Sequence, residues 1–350
     1  EGGEAVGIAF WNPSSKVSLR FVHWNIEEID RDFWRQRIVS AVQRRDRFKG
    51  ETNALRMVFA EGDVLPGLIV DVYSNVAVVQ FRTVGMDLLR NEIVDILSDV
   101  LGCDGIYERS DVPMREGEGL APVKGLLRGD VPDIVEIQEN GVRFYVDVKG
   151  GQKTGFFIDQ REARCAFSKL IKPGMRVLDV FSYTGGFGMY CAILGADVVL
   201  IDKDEEALRI AEENAQLNGV SGRVSTVSGD AFYILKSMAE EGEEFDAIVL
   251  DPPALVKYPN QVKKGRRLFI SLLRPALRML KKGGILHISS CAYYILPGLL
   301  REVIRMAGAD EGKRLLVVGE TYQAGDHPWS IQMEETLYLK GYNLVVAGER

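Results

Sequence analysis

Four carboxylates and one thiol stand where short apolar runs end: Asp179, Asp202, Asp230, Asp251 and Cys291. The first lies in Asp179-Val180-Phe181-Ser182-Tyr183-Thr184-Gly185-Gly186-Phe187. Gly185 and Gly186 let a backbone approach a ligand closely, and a helix starting there offers free N–H groups to a carboxylate. Asp179 can meet an ammonium, with Phe181, Tyr183 and Thr184 lining the same turn. Asp202 follows 23 residues later, where an acidic side chain accepts both hydroxyls of a ribose. Asp230, with Ala231 beside it, suits the amino group of an adenine. An ammonium, a carboxylate, a ribose and an adenine together describe S-adenosylmethionine. Asp202 alone also fits a nicotinamide dinucleotide, but the first loop lacks the GxGxxG pattern and Asp230 adds a further acid. Any one of these acids could simply cap a helix. Three at three successive run ends weaken that simpler reading.

The fourth run closes on Leu250-Asp251-Pro252-Pro253, where two prolines stiffen the turn and fix a carboxylate. The fifth closes on Ser289-Ser290-Cys291. A lone cysteine is more often a small buried hydrophobe than a reagent. Its place beside Asp251 favours chemistry. Carbon 5 of cytosine is too weak a nucleophile to take a methyl group unaided. A thiolate adding to carbon 6 creates an enamine that is strong enough. Cys291 is the candidate nucleophile, and Asp251, with its pKa raised, is the group that holds or donates a proton at the base N3. The base that removes the carbon 5 proton is not identified.

These residues need a scaffold. After Gly174 the sequence alternates strand and helix: strands at Arg176–Val180, Asp197–Ile201, Arg223–Val227, Phe245–Leu250 and Gly284–Ser289, with helices between them. Wholly apolar strands in this order predict a parallel sheet covered on both faces, a Rossmann-like α/β domain. A helix after Pro297 and strands at Leu315–Thr321 and Thr336–Tyr342 complete it. Upstream, two short strands surround Asn12-Pro13-Ser14. One amphipathic helix spans Asp30 to Arg47. Strands at Leu55–Ala60, Gly67–Val72, Val76–Phe81 and Gly105–Arg109, with a helical period from Met86 to Leu101, make a small α+β unit. Asp111 to Asp133 reads as a loop, and Asp133 to Val148 as a hairpin around Glu139-Asn140-Gly141. Lys153 to Arg161 reads as loop.

With 350 residues the chain exceeds what one core usually organises. Its 46% hydrophobic and 27% charged residues fit an ordinary globular protein. No apolar run suggests a membrane span and no signal peptide is recognised, so a cytoplasmic location without membrane partners is expected. Four scattered cysteines and three scattered histidines argue against a disulfide framework or a metal site. A net charge of −7 speaks against a protein that coats nucleic acid, but the distribution of charge matters more than the sum. Yet from Pro252 to Arg301 there is no Asp or Glu against ten Lys and Arg. Solvated faces normally mix both signs, so phosphate contact is the favoured reading of that segment.

The chain resembles the large-subunit rRNA cytosine-5 methyltransferases of the RlmI type. The resemblance rests on Glu61 to Leu68, Tyr107 to Asp111, Lys153 to Arg161, Phe181 to Phe187, Asp251-Pro252-Pro253, Ser290-Cys291, Asp326-His327-Pro328 and Leu337 to Gly341. Asp-Pro-Pro by itself is shared with guanine methyltransferases. The resemblance implies a partial PUA-like β module at 1–26, a linker helix and central α+β domain at 27–133, and a seven-stranded, mostly parallel methyltransferase domain at 134–350. It implies that Phe157, Gln160 and Arg161 contact the cofactor, that S-adenosylhomocysteine is the product, and that ribosomal RNA is the partner. The family's Ser-Cys-Ser is Ser290-Cys291-Ala292 here. Three rivals stay open: a guanine methyltransferase without thiol catalysis, a small-molecule methyltransferase, and an RNA-binding assembly factor with a vestigial cofactor site. A homodimer is the assembly left open.

Overall fold

The computed structural model describes residues 3–25 and 28–349. Its contacts divide into two compact units. One runs as far as Ile158 and regains Gly325–Thr336; the other comprises Asp159–Ala324 and the chain from Leu337 onward. The expected boundary between residues 26 and 27 lies outside the described residues. Among the described residues no helix is long and apolar enough to cross a membrane.

In the first unit β1 (Ile8–Trp11) and β2 (Leu19–His23) form an antiparallel pair. Helix α1 (Arg31–Gln43) starts at Asp30, whose side chain accepts from the Phe33 N–H at 2.8 Å, and buries Trp34, Ile38 and Ala41. A five-stranded sheet follows in the order β3 (Ala54–Phe59), β4 (Leu68–Tyr73), β5 (Val76–Phe81), β6 (Gly105–Ser110), β7 (Val123–Gly129). Only the β5–β6 pair is parallel, and helices α2 (Val84–Leu88) and α3 (Arg90–Leu101) make that crossover. The continuous helical period expected from Met86 to Leu101 is thus broken at Leu89, whose backbone leaves helical geometry (φ −90°, ψ 5°). The loop expected from Asp111 to Asp133 also needs correction. It holds a 3-10 turn at Pro113–Glu118 and the edge strand β7. Two glycines and a half-exposed pattern hide that strand, and pairing with β6 creates it.

Strands β8 (Ile134–Glu139) and β9 (Val142–Asp147) form the expected hairpin. Asn140 (φ 49°) and Gly141 (φ 84°) give the two left-handed residues that a tight turn of this kind requires. Asn53 N–H donates to the Gln138 carbonyl at 3.1 Å, so the hairpin joins the first unit and the units divide at 158 rather than at 133.

A charged network ties this unit together. Arg45 grips Asp63 through two bonds of 2.7 and 2.6 Å and donates to the Asp326 carbonyl at 2.8 Å. The Asp326 carboxylate accepts from the Arg56 N–H at 2.8 Å. Arg56 pairs with Asp71, which also accepts from the Thr154 hydroxyl at 2.6 Å.

The second unit is one seven-stranded sheet with helices. Its strands are β10 (Arg176–Val180), β11 (Asp197–Asp202), β12 (Val224–Ser228), β13 (Phe245–Leu250), β14 (Leu280–Ser290), β15 (Lys313–Tyr322) and β16 (Lys340–Glu349). The spatial order is β12-β11-β10-β13-β14-β16-β15, and only β16 runs antiparallel to its neighbours. Helices α4 (Arg161–Ser168), α5 (Gly186–Ile193), α6 (Glu205–Leu217), α7 (Ala231–Glu240), α8 (Val262–Met279) and α9 (Pro297–Asp310) accompany it. Leu178, Val180, Ile248, Leu250, Leu286 and Ile288 pack with the Phe269, Leu272, Leu273 and Leu277 stripe of α8. Each such buried side chain contributes about 1.5–3 kcal/mol.

Two expectations shift here. The last strand begins at Lys340 rather than Thr336, because the Gln323 side-chain carbonyl accepts from the Tyr338 and Leu339 N–H groups and holds them outside the ladder. The loop reading of Lys153 to Arg161 gives way at its end to a 3-10 turn, Ile158–Gln160, and to α4. Arg161 and Arg164 are among the residues that α4 buries, so its inward face reads as polar in the sequence.

Candidate active site

The sheet order reverses between β10 and β13, and ligands of open α/β sheets bind outside the strand ends at such a switch. The strand ends there carry Asp230, Asp202, Asp179, Asp251 and Cys291 in that spatial order, on adjacent strands about 4.8 Å apart. Residues spread over more than a hundred positions become one row.

The turn after β10 is built from unusual backbone. Phe181 (φ 64°) and Tyr183 (φ 50°) adopt left-handed conformations without being glycine, and Gly185 (φ 81°) does so as the residue before α5. Such geometry persists only where the surroundings enforce it. Asp202 is one enforcer: its Oδ2 accepts from the Tyr183 N–H at 2.8 Å and its Oδ1 from the Asp204 N–H at 3.0 Å. Buried Asn214 is another, donating to the Thr184 carbonyl at 3.0 Å. Gly186 lies against Arg164: a Cβ there would meet the guanidinium at 3.4 Å.

Asp179 is 1% exposed and accepts from the Gly188 N–H at 2.9 Å. Burial pushes its carboxyl up to about 7. The Gly188 hydrogen bond opposes that rise, the charges of Asp251 and Asp202 add to it, and Arg164 counters it. A cation placed here relieves that repulsion. Among the described residues the Ser182 hydroxyl, the Thr184 hydroxyl and the Gln160 side-chain carbonyl are buried with no hydrogen-bond partner. Buried polar atoms rarely go unpaired unless a ligand or water meets them. A cation-seeking carboxylate, orphaned donors and acceptors, and a glycine turn at a helix start fit S-adenosylmethionine, which carries both an ammonium and a carboxylate.

Asp251 and Cys291 are half-buried. The Ser289 hydroxyl donates to Asp251 Oδ1, and the Gln160 amide donates to the same hydroxyl at 3.4 Å. Gln160 and Arg161 are both buried at the start of α4. Phe157 belongs to the first unit, where its ring lies 4.2 Å from the Lys153 ammonium. Asp230 is exposed and caps α7, accepting from Phe232 and Tyr233, and Ala231 is buried at the first position of that helix. Arg164, Asn214 and Ser289 are the contributors that sequence reasoning missed. Only the position of Ser289 opposite Asp251 in a parallel pair could have revealed one of them.

The basic segment splits in two. Arg266 pairs with Glu302, Arg274 and Arg278 pair with Glu311, and Lys281 pairs with Asp246. Those four charges are met by acids outside the segment, so the basic surface left open is smaller than the sequence suggests. Lys257, Lys263, Lys264 and Arg267 remain exposed around the start of α8, whose first turn holds no acid.

A family model described as S-adenosylmethionine-dependent methyltransferase matches residues 123–314. Ribosomal RNA large subunit methyltransferase I of Shewanella denitrificans is 38% identical over 97% of this chain and 87% of its own length. The protein of that name from Alteromonas mediterranea is 35% identical over 97% of this chain and 86% of its own. In fold the chain matches SMU.776, described as a methyltransferase and solved with SAH, at a TM-score of 0.86 and 22% identity, covering 97% of this chain and 88% of that one. The residues along the switch point, the matching family model and relatives aligned almost end to end agree: this chain belongs to the S-adenosylmethionine-dependent methyltransferases, in the family of the ribosomal RNA large subunit methyltransferase I proteins.

Proposed function

We propose that this chain methylates carbon 5 of a cytosine in large-subunit ribosomal RNA, with Cys291 as the nucleophile. The observation that carries the reading is the thiol of Cys291 at the end of β14, one strand from the Ser289-anchored carboxylate of Asp251. The names of the relatives support the RNA class.

When bound, S-adenosylmethionine supplies an electrophilic methyl group. Asp179 holds its ammonium, and the turn Phe181, Tyr183, Thr184, Gly185 and Gly186 presents N–H groups to its carboxylate. Asp202 takes the ribose hydroxyls, while Asp230 and Ala231 meet the adenine. Phe157, Gln160 and Arg161 complete the cofactor contacts. Cys291 adds through its thiolate to carbon 6 of the cytosine, which moves electron density to carbon 5, and Asp251 holds a proton at N3. Loss of the carbon 5 proton and expulsion of the sulfur then restore the ring. Lys257, Lys263, Lys264 and Arg267 contact backbone phosphates at the start of α8, where the helix dipole also favours anions. The pair β1–β2 belongs to a PUA-like module.

The test is methyl transfer to RNA by Cys291→Ala. Loss of transfer, with a covalent adduct between the unaltered protein and 5-fluorocytosine-containing RNA, is expected. Retained transfer overturns the cytosine chemistry.

A further inference from the structure

Lys340 opens β16, and the register sets it opposite Ser290 on β14 and Tyr322 on β15. Its residue is 3% exposed, an unusual place for an ammonium. Nζ donates to the Ala292 carbonyl at 2.6 Å and to the Tyr338 carbonyl at 3.1 Å. Two carbonyls use two of its three N–H donors and supply no full countercharge. Ala292 follows Cys291 in the chain, so the ammonium is anchored on the residue next to the thiol. Burial pulls the lysine down to about 8, and the charge of Cys291 opposes that fall.

Other charged and titratable groups on neighbouring elements have the following partners. Asp251 at the end of β13 is held by Ser289, and Asp159 before α4 accepts from the Tyr338 hydroxyl at 2.5 Å. Arg301 of α9 donates to the Tyr342 hydroxyl at 2.9 Å, and Glu320 of β15 accepts from the Tyr322 hydroxyl at 3.0 Å.

We propose that Lys340 is a positioning residue that holds Cys291 as its thiolate, the buried ammonium supplying the countercharge that the sulfur needs. The S–H bond breaks, the proton leaves to solvent, the electron pair stays on sulfur, and Nζ keeps its three protons. A thiol beside a lysine ammonium ionises at lower pH than a free one. The proposal rests on the reading of Cys291 as nucleophile and names what makes it reactive at neutral pH.

The experiment is alkylation of the full chain by iodoacetamide from about pH 6 to about pH 10, with the Cys291 peptide followed by mass spectrometry and the Cys165 peptide as internal reference. The Cys291 half-rate point is expected below the ordinary value of about 8.5. Lys340→Gln moves it up by about one pH unit or more, a roughly tenfold loss of thiolate at pH 7, and Lys340→Arg keeps it low. A Cys291 curve unchanged by Lys340→Gln overturns the proposal. So does an unaltered protein with its half-rate point at about 8.5 or above, which decides the matter if Lys340→Gln does not fold. The two readings fail separately. A lowered Cys291 curve together with an active Cys291→Ala enzyme keeps the ion pair and sinks the cytosine chemistry. An ordinary curve with an inactive Cys291→Ala enzyme does the reverse.

Discussion

The Ser289 hydroxyl donates to Asp251 and accepts from Gln160, so the carboxylate at the end of β13 is aimed by residues from β14 and from the turn before α4. The Leu250–Ile288 register places Ser289 level with Asp251 in the parallel pair. A carboxylate held this way keeps one orientation toward a base.

Removing that hydroxyl is therefore expected to hurt turnover more than cofactor binding. A hydrogen bond to a charged group is worth about 1.5–3 kcal/mol. Ser289→Ala should lower kcat by about 10- to 100-fold and leave S-adenosylmethionine affinity within about threefold. Single-turnover methylation and calorimetry separate the two effects.

Asp179 carries a stability cost beside its proposed binding role. Its carboxyl is raised from 3.8 to about 7, chiefly by burial. Between those values the folded protein binds a proton that the unfolded chain does not, so this group's contribution falls as pH rises from about 4 to about 7. Asp179→Asn should melt a few degrees higher than the unaltered protein at pH 8 and lose the advantage near pH 4. It should also bind the methyl donor about 100-fold more weakly. In the unaltered protein, donor binding should strengthen as pH rises through 7. A variant that melts lower at pH 8 would refute this account.

At the start of α8, replacing Lys263 and Lys264 together by Glu tests the reduced phosphate surface. Both side chains are exposed, so the fold should not suffer. RNA affinity should drop without sequence preference, and the salt slope of binding should fall by about 1–2. Affinity for the methyl donor should not change. Unaltered RNA affinity would move the phosphate contacts elsewhere.

The Arg45–Asp63 pair gives a structural prediction far from chemistry. Asp63→Asn leaves a buried guanidinium without its carboxylate, a loss of about 3–5 kcal/mol. Burial pushes the Asp63 carboxyl up, but Arg45, Arg44 and the Phe59 N–H hold it below 3.8 overall. Its stabilisation is therefore present above that value and disappears as pH falls through the lower folded one. Urea unfolding at neutral pH and at about pH 3 should show the variant's deficit shrinking with acid.

Much of the catalytic unit was legible because apolar strands and amphipathic helices alternate strictly after Gly174, so the strand ends, and with them Asp179, Asp202, Asp230, Asp251 and Cys291, could be placed by counting. Periodicity does not show what depends on distant partners. Strand β7 exists because β6 pairs with it. Helix α4 buries two arginines, which read as a solvated surface. Ser289, Arg164 and Asn214 act through neighbours that lie 38, 22 and 30 residues away in sequence. Such contacts are set by the register and packing of the folded sheet. The basic segment misled for the same reason: Glu302, Glu311 and Asp246 reach it only after folding.

The excursion Gly325–Thr336 sets an order of assembly. Asp326 receives the Arg56 N–H and gives its carbonyl to Arg45, yet it is synthesised 270 residues after the first of these and 281 after the second. The first unit to leave the ribosome is consequently incomplete until all but the last strand of the second has been made. A fragment ending at Ile158 lacks the plug for its own charged network, so the two units cannot be separated by a single cut.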